Sequence, residues 1–294
     1  MFVQTNTVKS IRIYLKERLG ERFSDNEIKI IGNETICQRL NLKPSDFIGI
    51  NDQLLSESDL LYFRSVVKRL LNHEPFQYVI GNTHFYGLEL KCDSRALIPR
   101  PETEELVNWV KEKYTSSFDG VIVDLCTGSG CIALALKSQF QKSKVIATDF
   151  SRDALDLARE NAGKTSMEVA FLNFDARNEK AYEILTENTN KGFDCWVSNP
   201  PYIPLKEKDL MDENVLSHEP HLALFVTDED PFLFYRVISE MAMRQLNSKG
   251  LLFFEIHENL ADEVIYILKK NGFVNIELRK DLQGKSRMLK AEKV

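Results

Sequence analysis

The sequence predicts an α/β protein. A doubly wound, mainly parallel seven-stranded sheet is expected over residues 99–294, preceded by a small all-α domain over 1–73 and a β-hairpin linker over 74–98. Three observations predict this. Apolar, β-prone runs alternate with helical patterns from Val121 onward. Residues 1–73 show only the helical period. Short β-prone runs around glycines separate the two regions.

In chain order, Val8, Ile11, Leu15 and Leu19 fall on one face of a first helix, and Gly20 is a stop signal. Ser24, three residues before Glu27, starts a second helix with a capping box. After Ser56, Leu60, Leu61, Phe63, Val67, Leu70 and Leu71 give a third apolar pattern. No chemical constellation occurs here, so the region reads as a helical bundle that packs against or recognises something. The runs 77–80 and 84–92 surround Gly81-Asn82 and Gly87, a hairpin signal. A helix begins near Thr103, and strands follow at 121–125, 144–149, 168–174, 193–198, 250–256, 273–280 and 287–292. Helices alternate with the first five strands. The last two, joined by Asp281-Leu282-Gln283-Gly284, read as an antiparallel pair at a sheet edge.

Bulk properties narrow the function. Hydrophobic content of 43% and charged content of 28% are those of an ordinary globular chain. The net charge is −6, with 11 basic and 10 acidic residues in 1–85 and 27 and 34 in the remainder. Neither part has the basic excess of a general DNA binder. Five cysteines without a C-x-x-C pair argue for a reducing compartment over a disulfide framework or structural zinc. No run approaches the roughly 18 apolar residues of a membrane span, and the N-terminus lacks a signal-peptide core. The expectation is a soluble cytoplasmic protein with no membrane partner.

The run from Val121 to Ala135 reads as a buried strand, a small-residue loop and a helix. Gly128 and Gly130 let the backbone turn sharply beside a ligand, and the helix N-terminus behind them offers unpaired N–H groups. The loop reads D-x-x-T-G-S-G, lacking the third glycine of the dinucleotide fingerprint. Asp149 ends the next strand, where it can accept both hydroxyls of a ribose, and Asp175 ends the one after, where it can accept an adenine amino group. An adenosine ligand with a free ribose and no pyrophosphate suits this set. Asp124, Cys126, Thr127, Gly128, Ser129, Gly130, Asp149, Asp175 and Ala176 are therefore candidate cofactor residues. Asp124 either orients the loop or meets the ligand's ammonium through water. Cys126 and Cys131 read as small packing residues, since no histidine lies nearby in sequence.

The fourth strand runs into Asn199-Pro200-Pro201-Tyr202. Two prolines fix two φ angles and remove two donors. The Asn199 side-chain oxygen and the Pro200 carbonyl can each accept from one –NH2 group, and Tyr202 offers a flat face to a planar amide or base amine. With a sulfonium methyl donor no strong general base is needed, and orientation carries most of the rate. Asn199 and Pro200 are the candidate catalytic pair, with Pro201 and Tyr202 beside them for substrate and Asn199 also facing the cofactor.

With these residues in place, the chain resembles the peptide chain release factor glutamine methyltransferase family over essentially its whole length. Pro75-Phe76-Gln77-Tyr78 with Gly81, and Phe85-Tyr86-Gly87, look like that family's inter-domain hairpin. Leu97-Ile98-Pro99-Arg100-Pro101-Glu102-Thr103-Glu104 looks like its most distinctive segment, and Glu219-Pro220, Ala223-Leu224 and Asp281 to Gly284 with Arg287 continue the match. The resemblance implies a Rossmann-like class I methyltransferase sheet, S-adenosyl-L-methionine as cofactor, and S-adenosyl-L-homocysteine as product. It implies methylation of the glutamine amide in the Gly-Gly-Gln motif of class I release factors, a step of translation termination. It also implies that the N-terminal helices recognise the protein substrate. Arg100 and Glu102, between two prolines and a helix start, are candidates for a cofactor lid.

Departures are local. Cys126 and Cys131 stand where the family commonly has Gly and Ala, and residues 225–231 replace a Gly-rich turn beside the target site. His218 and His221 flank Glu219-Pro220 but lack a third ligand, so no metal is expected. The alternative is an adenine-amino nucleic-acid methyltransferase, which shares the tetrapeptide but needs a base-flipping pocket and a basic groove. The acidic balance and the lack of a sizeable target-recognition insert argue against that alternative; a protein substrate, no direct nucleic-acid contact and a monomer are expected.

Overall fold

The computed structural model describes residues 3, 5–43, 46, 49–189 and 191–294. One compact unit holds residues 1–81 with 212–218, and a second holds 82–211 with 219–294.

In the first unit, α1 (Val8–Leu19) is capped by the Thr7 hydroxyl, which accepts from the Ser10 N–H. Reciprocal capping boxes start α2 (Asp25–Leu40) at Ser24/Glu27 and α3 (Glu57–Leu71) at Ser56/Asp59. Val8, Ile11, Leu15 and Leu19 are buried as their spacing predicts, with Leu60, Phe63, Val67 and Leu70. Leu61 and Leu71 instead lie exposed, one position past the inward stripe. The predicted strand at 77–80 is a helix, α4 (Phe76–Ile80). Pro75 sets its entry and Gly81, at φ 74°, ends it. The Arg69 guanidinium donates to the carbonyls of Tyr78 and Val79 at 2.9 and 2.8 Å, so the segment packs on α3.

The second unit opens with the hairpin β1 (Asn82–Phe85) and β2 (Leu88–Lys91). Its two-residue turn, Tyr86-Gly87, has both φ values positive, the handedness that matches strand twist. Next come α5 (Pro101–Lys113), β3 (Val121–Leu125), α6 (Cys131–Gln139), β4 (Lys144–Asp149), α7 (Arg152–Thr165) and β5 (Ala170–Asn173). After the short α8 (Glu183–Glu187) comes β6 (Phe193–Ser198). The strand β7 (Ile203–Pro204) then precedes α9 (Glu213–His218), which belongs to the first unit, and β8 (Phe225–Val226) follows it. The chain ends with α10 (Leu233–Gln245), β9 (Leu246–Glu255), α11 (Ala261–Lys270), β10 (Val274–Lys280) and β11 (Ser286–Glu292).

The main sheet has seven strands in the order β10-β11-β9-β6-β3-β4-β5. β11 runs antiparallel to both its neighbours, and the other pairs are parallel. Burial on both faces explains the continuous apolar runs: Val121, Val123 and Leu125 enter one core layer, and Ile122 the other. From β3 the chain steps outward through β4 and β5, then crosses back to β6 and β9. That reversal opens a crevice beyond the C-terminal ends of β3 and β6. Among the described residues, no helix is long and apolar enough to cross a membrane.

Candidate active site

Two loops leave this switch point side by side. Leu125 and Ser198 are register partners at the ends of β3 and β6, and the Ser198 hydroxyl donates to the Leu125 carbonyl at 2.7 Å. Beyond them lies an open cleft, within the second unit.

The first wall is the glycine loop. Asp124 is fully buried, and its Oδ2 accepts from the Thr127 hydroxyl at 2.5 Å and the Ala133 N–H at 3.1 Å. Burial pushes its carboxyl up to about 7. Asp124 does not line the cleft, so of its two expected roles the geometry supports orienting the loop. Cys126 (φ 62°), Gly128 (φ 55°) and Gly130 (φ 82°) all take left-handed backbone. At Gly130 a Cβ would stand 3.1 Å from the Ala158 Cβ, so the glycine also lets α6 approach α7 closely. Gly130 itself lies behind the cleft wall. Cys126 lines the cleft with its thiol held well above the ordinary range, and Cys131 is pushed up to about 12, both by burial. Neither thiol is an activated nucleophile.

The loop is braced from two sides. Asp149 Oδ2 accepts from the Gly128 N–H and Oδ1 from the Ser151 N–H, both at 2.8 Å. Burial raises the Asp149 carboxyl against those two bonds. From below, the buried Asn161 amide accepts from the Lys91 N–H at 2.6 Å and donates to the carbonyls of Lys91 and Ser129. The hairpin thus supports the glycine loop.

Asp175 and Ala176 also line the cleft. The Asp175 carboxylate is held by Arg177 through Nε at 2.8 Å and Nη2 at 3.0 Å, a pairing that lowers it. The Arg177 guanidinium in turn lies 5.2 Å over the half-exposed Phe150 ring. This pairing, invisible in the sequence, leaves Asp175 only its remaining lone pairs for an amino group.

The second wall carries the tetrapeptide. Asn199 and Pro201 line the cleft, whereas Pro200 is buried beside it. Asn199 Nδ2 donates to Thr103 Oγ1 at 3.3 Å, and Thr103 Oγ1 donates to Glu255 Oε2 at 2.7 Å. Tyr202, expected to offer a flat face to the substrate, adjoins this relay. Its hydroxyl donates to Glu255 Oε1 at 3.1 Å and its ring packs at a steep angle to that of His257.

The expected lid divides. Arg100 lines the cleft, and its guanidinium donates to the buried Glu219 carboxylate at 2.6 Å. Glu102 instead accepts from Gln283 Nε2 at 3.2 Å, away from the cleft, because its helical position points it at the β10–β11 turn. Sequence reasoning did not single out Thr103 and Glu255, which the structure links to Asn199 and Tyr202. A carboxylate ending the apolar run Leu251-Leu252-Phe253-Phe254 was the available signal for Glu255. The segment at 225–226 pairs parallel with β7, and the Ile203 N–H donates to the Leu224 carbonyl at 3.0 Å, which ties the loop to the tetrapeptide's exit. Of the two histidines, His218 meets the Asn72 carbonyl at 2.9 Å and His221 packs edge-on to Phe225.

The lining fits S-adenosyl-L-methionine. It combines ribose-competent carboxylates and exposed loop backbone with apolar surface from Ile98, Pro99, Ile132, Phe150 and Phe234. The Ser129 hydroxyl is buried there beside the Cys131 thiol.

Known proteins resemble this arrangement. Residues 102–222 match the Methyltransferase small domain family, and residues 14–81 match the PrmC N-terminal domain. A release factor glutamine methyltransferase of Flavobacterium psychrophilum is 40% identical over 286 residues, covering 96% of this chain and 98% of that protein. One from Bacteroides thetaiotaomicron is 34% identical and covers 96% and 99%. Among solved structures, the Thermus thermophilus 16S rRNA methyltransferase RsmC, in complex with AdoMet and guanosine, has a TM-score of 0.51. It is 17% identical, over 72% of this chain and 50% of that one. A Pyrococcus furiosus methyltransferase has a TM-score of 0.50 at 18% identity, over 70% and 89%. These two likenesses establish the class I methyltransferase fold.

Proposed function

The chain belongs to the release factor glutamine methyltransferase family, and from that premise we propose that it methylates the Gly-Gly-Gln glutamine of class I peptide chain release factors on its side-chain amide nitrogen. When bound, S-adenosyl-L-methionine supplies an electrophilic methyl group and leaves as S-adenosyl-L-homocysteine. The protein's own task is to place a weakly nucleophilic nitrogen and keep water out.

The observation that carries the reading is the state of Asn199. One N–H of its amide donates to Thr103, which sets the amide's orientation and places its oxygen at the other end, available to a donor in the cleft. Asn199 Oδ1 and the Pro200 carbonyl each accept one N–H of the target amide, which holds that amide's plane and directs its nitrogen toward the methyl donor. Two accepted hydrogen bonds also shift electron density onto the nitrogen. Once the methyl is attached, the surplus proton on that nitrogen is acidic enough to leave without a strong base.

In this reading Gly128, Ser129, Thr127, Cys126, Asp149, Asp175 and Ala176 hold the cofactor, with Asp124 and Gly130 shaping their loop. Arg100 closes one side. The helical unit recognises the release factor. Action in the cytoplasm by a monomer, with no direct nucleic-acid contact, completes the proposal.

The test is incubation with methyl-labelled S-adenosyl-L-methionine and, separately, release factor, DNA and RNA. Label is expected on the factor's Gly-Gly-Gln peptide alone; label on DNA or RNA but not on the factor would overturn the reading. N199A is expected to abolish turnover while leaving cofactor affinity within about threefold.

A further inference from the structure

We propose that Thr103 and Glu255 are positioning residues that lock the Asn199 amide in one of its two flip states. The proposal rests on the reading of Asn199 as acceptor for the substrate amide. Hydrogen-bond polarity carries the argument.

Glu255 closes β9 and is 2% exposed. An ionised carboxylate can only accept. Thr103 donates to one of its oxygens and Tyr202 to the other. The single hydroxyl proton of Thr103 is thereby spent, and its oxygen has only lone pairs to offer Asn199. Only the –NH2 end of the Asn199 amide can approach those lone pairs, as it does at 3.3 Å. The carboxamide oxygen then occupies the opposite end, the end that an incoming –NH2 requires.

Without an accepting carboxylate the order reverses. The Thr103 hydroxyl becomes free to turn and donate to the Asn199 oxygen, and the flipped amide presents its own –NH2 to the substrate's –NH2. Two donors then face each other with no bond between them. A hydrogen bond at the target nitrogen is lost and a desolvated donor is left unpaired, so the loss falls on turnover. The relay joins residues far apart in sequence: Thr103 on α5, Asn199 after β6, Glu255 at the end of β9 and Tyr202 beyond the two prolines. None of the three supporting side chains need touch the substrate to control what Asn199 shows it.

Charge around Glu255 bears on the same point. Burial raises its carboxyl, the bonds from Thr103 and Tyr202 and the nearby Arg287 lower it, and Glu102 raises it. Arg287 is itself paired with Asp281 at 3.2 Å, and the Tyr235 hydroxyl donates to the Glu255 backbone carbonyl at 3.3 Å. A proton on Glu255 gives it a donor and releases the lock, so turnover should carry an acid limb that belongs to this carboxyl.

Four variants of the full chain test this: N199A, T103V, T103S and E255Q. Each is assayed for turnover on release factor across pH, cofactor affinity by calorimetry, and thermal melting. T103V keeps shape but loses the hydroxyl, and about a tenfold or greater loss in kcat is expected with cofactor Kd within about twofold. T103S restores the hydroxyl and should stay within about threefold of the parent. E255Q replaces one acceptor with a donor. It should lose roughly threefold or more in kcat and its acid limb, and the T103V/E255Q double variant should be no worse than T103V alone. Parental kcat in T103V while N199A is inactive would overturn the proposal and leave the Asn199 reading standing. So would equal impairment of T103S and T103V, or losses that multiply in the double variant. Full activity in N199A would overturn both. If T103V melts early, the comparison of T103S and E255Q below their midpoints decides.

Discussion

Arg100 and Glu219 meet at 2.6 Å across 119 residues of chain, and the carboxylate's second oxygen takes the Ile98 N–H at 3.1 Å. The cleft wall at 98–100 is thus pinned by one buried acid whose main countercharge is a guanidinium 34% exposed. Removing that countercharge strands the acid. R100A is expected to cost about 2 kcal/mol of unfolding free energy, a figure discounted for the exposure of Arg100. R100A/E219Q should recover most of it, because Gln keeps an acceptor for Ile98. Urea unfolding of the three proteins checks this; equal stability of R100A and the parent would refute it.

Asp149 serves two backbone donors and, in the proposed complex, two ribose hydroxyls. D149A should weaken S-adenosyl-L-homocysteine binding by about thirtyfold or more, equivalent to roughly 2 kcal/mol. D149N, which retains one accepting oxygen, should fall between. Isothermal calorimetry decides, and unchanged affinity in D149A would remove Asp149 from the site.

Asp124 predicts a pH dependence. Its folded value of about 7 lies above the unfolded value of about 3.9. Below both values each state holds the proton. Between them the folded protein retains a proton that the unfolded chain has released, so stability from this group falls as pH rises. The loss accrues at up to about 1.4 kcal/mol per pH unit and is complete above about pH 7. The stability difference between D124N and the parent, by urea unfolding at pH 5 to 8.5, should shift in favour of D124N up to about pH 7 and then level off. A flat difference would contradict the burial-driven shift.

The two loop glycines should differ under the same substitution. Both hold positive φ, but only Gly130 faces a close neighbour, the Ala158 Cβ, whereas the space at Gly128 is open to 3.8 Å. G130A should cost about 2 kcal/mol and G128A about 1 kcal/mol. Thermal melts without ligand separate strain from cofactor contact.

What the sequence made legible was whatever depends on local pattern. The strands at 121–125, 144–149 and 193–198 lie where their apolar runs put them, because central parallel strands are buried on both faces. Asn199 and the glycine loop were readable because prolines and glycines constrain backbone by themselves. The stretch 77–80 was misread as strand because β-branched propensity is weak against a Pro75 entry, a Gly81 exit and Arg69 on its carbonyls. The hydrogen bonds of Tyr202 to Glu255 and of Glu102 to Gln283 were not legible, because those partners arrive from segments far along the chain. The Thr103–Glu255 bond spans 152 residues, and no periodicity reports on it.

The link from the Ser198 hydroxyl to the Leu125 carbonyl has a counterpart in how each half of the site tolerates drift. Around the glycine loop, apart from the Asp124–Thr127 bond, side chains grip main-chain atoms: Asp149 on Gly128, Asn161 on Lys91 and Ser129, Ser198 on Leu125. Main chain cannot mutate away, so one partner of every such bond is permanent. The acceptor half is joined side chain to side chain through Asn199, Thr103, Glu255 and Tyr202, and any single codon change there can cut it. New methyl acceptors should arise by rewiring one short relay while the cofactor loop stays as it is.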